Sequence, residues 1–173
     1  MSGRACVLGD VVVDLTLTVD RFPREGGDAF ARGRRTDVGG CGANIGIMLT
    51  RLGLRASVIA NVGDDEWGHM GATVLARQGV DIEALSLDPS ASTHLTVIVL
   101  SNGGERTMVG HRGASARAGP WVSACHAVGR SDVLVVSGYA LLGDERATQA
   151  RRGQLTTDVA AWFAHSARPS DYG

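Results

Sequence analysis

Four segments of the 173-residue sequence carry residue types suited to binding chemistry: Asp14, the run Gly39-Gly40-Cys41-Gly42-Ala43-Asn44, the pair Gly63-Asp64, and Ser137-Gly138-Tyr139. Together they suit a polyol. A carboxylate accepts from two hydroxyls, an Asn amide both donates and accepts, and glycines let backbone amides approach a ligand closely. Taken singly, Asp14 reads equally as a turn residue at a strand end, and Asn44 as a plain helix N-cap. The glycine run has a second reading as a dinucleotide fingerprint. That pattern wants a small residue where Ile45 stands and an acidic residue about twenty positions on at a strand end. Ile45 breaks it, and Gly63-Asp64-Asp65 keeps it only as the weaker alternative.

Other reactive side chains are less organised. Arg32, Arg34 and Arg35 could contact a phosphorylated sugar, but a charged edge that discourages strand pairing explains them more simply. His94, His111 and His126 share no ligand spacing, and Cys41 has no sequence neighbour that would activate it. All 17 basic residues are Arg. Without lysine there is no Walker A phosphate lysine and no Schiff-base lysine, which excludes P-loop kinases and lysine-dependent aldolases.

The bulk properties fit a soluble domain. With 44% hydrophobic residues, 20% charged residues and a net charge of -1, the chain lacks the basic footprint of a nucleic-acid binder, so a small-molecule partner is expected. Cys6, Cys41 and Cys125 are too few for a disulfide framework, and no Cys or His pair has zinc-finger spacing. The apolar stretch Cys6 to Val13 is broken by Asp10, so it reads neither as a signal peptide nor as a membrane span. The expectation is a cytoplasmic protein with no nucleic-acid and no membrane partner.

The elements that must position these residues follow from periodicity. Ala5 to Val13 reads as one strand buried on both faces, and Leu15 to Asp20 alternates as a strand with one wet face. Asp28 to Val38 reads as its returning partner after the Gly26-Gly27 bend. Asn44 opens a helix with Ile45, Met48, Leu49 and Leu52 on one face, and Gly53 is its cap glycine. Ser57 to Asn61 is a second buried strand. Asp64-Asp65 caps a helix presenting Trp67, Met70, Val74 and Leu75, which ends at Gly79. Thr96 to Leu100 and Arg106 to Val109 flank a hairpin turn, Pro120-Trp121 starts a helix, and Asp132 to Val136 is a third buried strand. Buried strands alternating with helices predict an α/β fold with a largely parallel sheet, whose strand carboxyl ends would gather the four segments on one rim. After Thr148 no strand-like run occurs, and Val159, Trp162 and Phe163 mark at most a short helix.

In order and spacing, Val7-Leu8-Gly9-Asp10-Val11-Val12-Val13-Asp14, Gly39 to Asn44, Arg51-Leu52-Gly53 and Gly63-Asp64-Asp65-Glu66-Trp67-Gly68 resemble the N-terminal half of ribokinase-like (PfkB) carbohydrate kinases. Ser92-Thr93, Gly103-Gly104-Glu105-Arg106 and Arg112-Gly113-Ala114 continue the resemblance. Gly46 departs from it, standing where Ser, Thr or Ala is usual. The resemblance implies a three-layer α/β fold with a mostly parallel central sheet and a small β lid, the C-terminal half missing. Residues 1–146 would form the truncated domain, with lid ribbons at about 15–36 and 94–109, and 147–173 a disordered or frame-shifted tail. It further implies ATP-dependent phosphoryl transfer to a sugar or nucleoside hydroxyl with Mg²⁺ in an intact member, and a homodimer through the lid. Asp14 would hold sugar hydroxyls, with Gly39, Gly40, Asn44 and Tyr139 lining the same pocket. Val12, Cys41 and Tyr139 stand where ribokinase itself has Asn, Lys and Glu, so ribose is not implied. The family's catalytic Asp lies in a Gly-Ala-Gly-Asp-type motif that this sequence lacks, Gly143-Asp144 being the nearest string. No catalytic, cofactor-binding or metal-binding residue is therefore assigned, and the chain alone is expected to be inactive. A catalytically dead sugar-binding module is the alternative.

Overall fold

The computed structural model describes residues 3–117 and 126–141. Eight strands and two α-helices follow in the order β1 (Arg4–Leu8), β2 (Val12–Thr18), β3 (Gly33–Gly39), α1 (Cys41–Arg51), β4 (Arg55–Gly63), α2 (Glu66–Arg77), β5 (Leu85–Asp88), β6 (Leu95–Leu100), β7 (Arg106–His111) and β8 (Val133–Val136). The expected start of a helix at Pro120-Trp121 and the tail from residue 147 lie outside the described residues.

The main sheet has the order β5-β4-β1-β8 and every pair in it is parallel. β1 is central, as its Ala-Cys-Val-Leu run requires. Successive side chains point to opposite faces, so Cys6 and Leu8 join Ile59, Ala127 and Val128 on one side while Val7 joins Val58, Val62 and Leu75 on the other. α1 and α2 cover the second face, and the helical residues 126–129 pack on the first.

Ala5 to Val13 is not one strand. The chain leaves the main sheet after Leu8, crosses Gly9-Asp10-Val11 and enters a second sheet at Val12. This sheet has the order β3-β2-β6-β7; the β2–β3 and β6–β7 ribbons are antiparallel, and β2 pairs with β6 in parallel, Asp14 opposite Thr96. The two ribbons expected separately thus join edge to edge. β5, which the sequence reading left out, is a four-residue edge strand beside β4.

The α1 stripe also differs from expectation. Met48 and Leu52 are exposed, whereas Gly42, Ala43 and Gly46 are buried. The helix meets the sheet on its small residues: a Cβ at Gly46 would sit 2.6 Å from Val58 Cγ2. Close approach therefore rotates the larger side chains to the flanks, where Ile45, Ile47 and Leu49 pack half-buried. Gly53 has φ 86° and follows α1 as a cap glycine should, and Gly79 with φ 79° does the same for α2.

Candidate functional site

The site is built where β1 hands the chain to β2. A Cβ on Gly9 would lie 2.7 Å from the Gly42 Cα, and one on Gly42 would lie 2.7 Å from the Gly9 carbonyl carbon, so these two glycines let the start of α1 press against the end of β1. Gly40 precedes α1 with φ 91°, a conformation natural to glycine, and a Cβ there would strike the Asp10 carbonyl oxygen. Gly40 rather than Asn44 is the N-cap of α1. Asn44 lies one turn into the helix, exposed, its backbone N–H donating to Gly40 O at 3.0 Å. Gly42 N and Ala43 N both donate to the Asp10 carbonyl, at 2.9 and 3.4 Å. With those amides taken, the helix start is closed to a pyrophosphate, which removes the main support for the dinucleotide reading.

Asp14 is the third residue of β2 and lies in register with Asp37 of β3. Its carboxylate extends over Gly39, where any Cβ would collide with Oδ2. Gly39 thus leaves open the space that the carboxylate occupies, and the two expected site residues form one unit. Partial burial, and secondarily the charge of Asp37, push the Asp14 carboxyl above its ordinary range. Arg35 pairs with Asp37 at 2.5 Å and so turns towards this ribbon's acidic face instead of standing free.

Tyr139 follows β8, its side chain 63% exposed, and reaches the rest of the rim through its backbone. Its carbonyl accepts from Arg112 Nη2 at 2.9 Å, and the same nitrogen lies 3.6 Å from Asp10 Oδ2. Asp10 and Arg112 were not among the expected site residues, although Asp10 is the one charge in the apolar run from Cys6 to Val13. That interruption was the available signal. Arg112 ties the end of β7, in the lid sheet, to the carboxyl ends of β1 and β8. His94 lies beside this pair: desolvation holds its imidazole below the ordinary range, Asp10 opposes that, and Arg112 and His111 reinforce it. Among the described residues the buried His94 Nδ1 has no hydrogen-bond partner.

The second anchoring point is Asp65, the N-cap of α2. Its Oδ1 accepts from Gly68 N at 2.8 Å and from Thr93 Oγ1 at 2.6 Å, and its Oδ2 accepts from Thr93 N at 2.8 Å. Thr93 is buried and also accepts from Gly63 N at 3.0 Å. Asp64, expected on the rim, pairs instead with His69 at 2.9 Å. Nearby, Asn61 donates to Ala114 O at 3.0 Å, tying β4 to the turn after β7. Among the described residues no group of three or more His, Cys, Asp or Glu is placed to hold a metal ion, and no helix is long and apolar enough to cross a membrane.

Residues 2–159 match the pfkB family carbohydrate kinase profile. A probable fructokinase-4 of Arabidopsis thaliana is 35% identical over 108 residues, which are 62% of this chain and 32% of that protein. An ATP-dependent ribose-1-phosphate kinase of Halopiger xanaduensis is 33% identical over 117 residues, 68% of this chain and 40% of that one. The chain thus spans two fifths or less of these relatives' lengths. The ribokinase of Arabidopsis thaliana, solved with ribose and ATP, superposes with a TM-score of 0.72 at 21% identity, over 80% of this chain and 46% of that chain, a likeness of fold.

Proposed function

This chain belongs to the pfkB family of carbohydrate kinases, and on that premise we propose that it carries the acceptor-binding part of such an enzyme, holding a sugar or nucleoside by its hydroxyls. The observation that carries this reading is the Asp14 carboxylate, kept open by Gly39 at the junction of the parallel sheet and the lid sheet. A carboxylate so placed accepts from two hydroxyls of one ligand, and β3 and β6 flank its strand in the lid sheet. Gly40, Asn44 and Tyr139 lie at the surrounding strand and helix ends and complete the pocket in this reading.

In the intact family member ATP with Mg²⁺ supplies the phosphoryl group. The residues described here do not fit that donor: the first amides of α1 are occupied by Asp10, no metal-holding cluster exists among them, and the sequence has no Gly-Ala-Gly-Asp string. In this reading the described residues hold the acceptor, and the phosphoryl donor is not held by them.

Titration calorimetry with fructose, ribose and inosine, with and without ATP and Mg²⁺, tests this. One of the three binds saturably, Asp14→Asn weakens it at least tenfold, and no phosphorylated product forms. Absence of any binding would refute the acceptor pocket, and turnover would reveal a catalytic base elsewhere in the chain.

A further inference from the structure

At the opposite end of the main sheet, where β1 and β4 begin, lies a cavity of about 210 Å³ lined by Arg4, Arg55, Ser57, Asp81, Arg130 and Ser131 together with small apolar residues. Arg4 and Arg55 are the first residues of their strands and are direct register partners. Adjacent strands run about 4.8 Å apart and paired residues project from the same face, so two guanidinium side chains start side by side. Like charges placed so are destabilising. Neither side chain has an ion-pair or hydrogen-bond partner among the described residues.

The neighbouring acids are committed elsewhere. Glu83 pairs with Arg130 at 2.8 Å, and Asp132 Oδ2 accepts the backbone N–H of Arg4 at 2.7 Å. Asp81 Oδ1 accepts Glu83 N at 2.9 Å, and Asp81 lines the cavity together with the two arginines. An arginine pair without an ion-pair partner among the described residues, with hydroxyls and the Asp81 carboxylate lining the same cavity, is the chemistry of a phosphate monoester that also carries hydroxyls: the guanidiniums take the dianion and Asp81 takes an O–H. The volume suits a small molecule and not a polymer.

We propose that this cavity binds a phosphorylated small polyol, with Arg4 and Arg55 on the phosphate and Asp81 on a hydroxyl. The site is separate from the Asp14 rim and does not rest on the acceptor reading. A phosphate group alone satisfies the arginines, so free phosphate shares the first half of the recognition.

The test is calorimetric titration of the full chain in phosphate-free buffer at fixed ionic strength with inorganic phosphate, fructose 6-phosphate and fructose, on wild type, Arg4→Gln, Arg55→Gln, Asp81→Asn and Asp14→Asn. Fructose 6-phosphate is expected to bind, to weaken at least tenfold in each arginine variant and to persist in Asp14→Asn, which separates this cavity from the acceptor rim. Affinity at least tenfold above that of inorganic phosphate, lost in Asp81→Asn, assigns the polyol phosphate. Equal affinity for the two would overturn the hydroxyl contact. Thermal melts supply a check on folding: without anion, Arg55→Gln melts no lower than wild type, because it relieves repulsion. If neither phosphate compound binds wild type, or both bind the arginine variants unchanged, no such site exists.

Discussion

Asp14, the residue proposed to hold the acceptor hydroxyls, works against the stability of its own fold. Its carboxyl is held above the ordinary value of 3.8, first by burial and then by Asp37. The folded chain therefore binds this proton more tightly than the unfolded chain. Stability falls as pH rises from the ordinary value through the raised one, and the deficit is complete above both. Asp14→Asn is thus expected to raise the melting temperature at pH 7 while it weakens acceptor binding at least tenfold, with the gain shrinking as the pH is lowered into the ordinary carboxylate range. Calorimetric melts across that range check it. A lower melting temperature at pH 7 would mean that Asp14 makes stabilising contacts that outweigh the loss of solvation. Removing a strained binding group commonly has this signature.

At the scale of elements, Asp65 is the opposite case. Burial raises its carboxyl, but the hydrogen bonds from Thr93 and Gly68 outweigh it and hold the group below 3.8. Its contribution is present at neutral pH and is lost as pH falls through the folded value. Asp65→Ala removes both the α2 cap and the tie to the strand entering the lid sheet. A loss of about 2 kcal/mol, read from urea melts at pH 7, is expected. This cap was legible because Asp64-Asp65 precedes an apolar helical pattern, just as Gly53 and Gly79 were legible as helix ends. Other features were not. A run of β-branched residues does not say where one sheet passes to another, so the break at Gly9-Asp10-Val11 was hidden inside an apparently continuous strand. The α1 face was misjudged because apolar periodicity weights Met48 and Leu52, while close approach to Gly9 selects Gly42 and packing against Val58 selects Gly46. Asp14 and Gly39 were each picked out in sequence, but their contact depends on the β2–β3 register. The role of Arg112 depends on three strands meeting, which no local pattern encodes.

Among the described residues, strand edges of both sheets have no partner. β7 has one partner in the lid sheet, and Met108 and Val109 on it are 60% and 69% exposed. An apolar edge with unpaired amides favours pairing with a second copy. Sedimentation velocity over a hundredfold concentration range is expected to show a reversible dimer that Val109→Lys dissociates. A monomer at every concentration would exclude the lid as an interface.

The arrangement of the main sheet also has a consequence for synthesis. Its central strand, β1, precedes the other described strands in the chain, yet its neighbour on one side is β8, so Arg4 N and Asp132 Oδ2 meet across a sequence separation of 128. At roughly 5 to 20 residues per second, about 6 to 26 seconds pass between the emergence of one and the other. β4 can cover one flank of β1 midway through that interval. The other flank, with Cys6 and Leu8, waits for the last described strand, and so does the face that residues 126–129 cover. Folding of such a sheet is slow because its loop closures are long. Between those two emergences this apolar flank of β1 stays uncovered by β8.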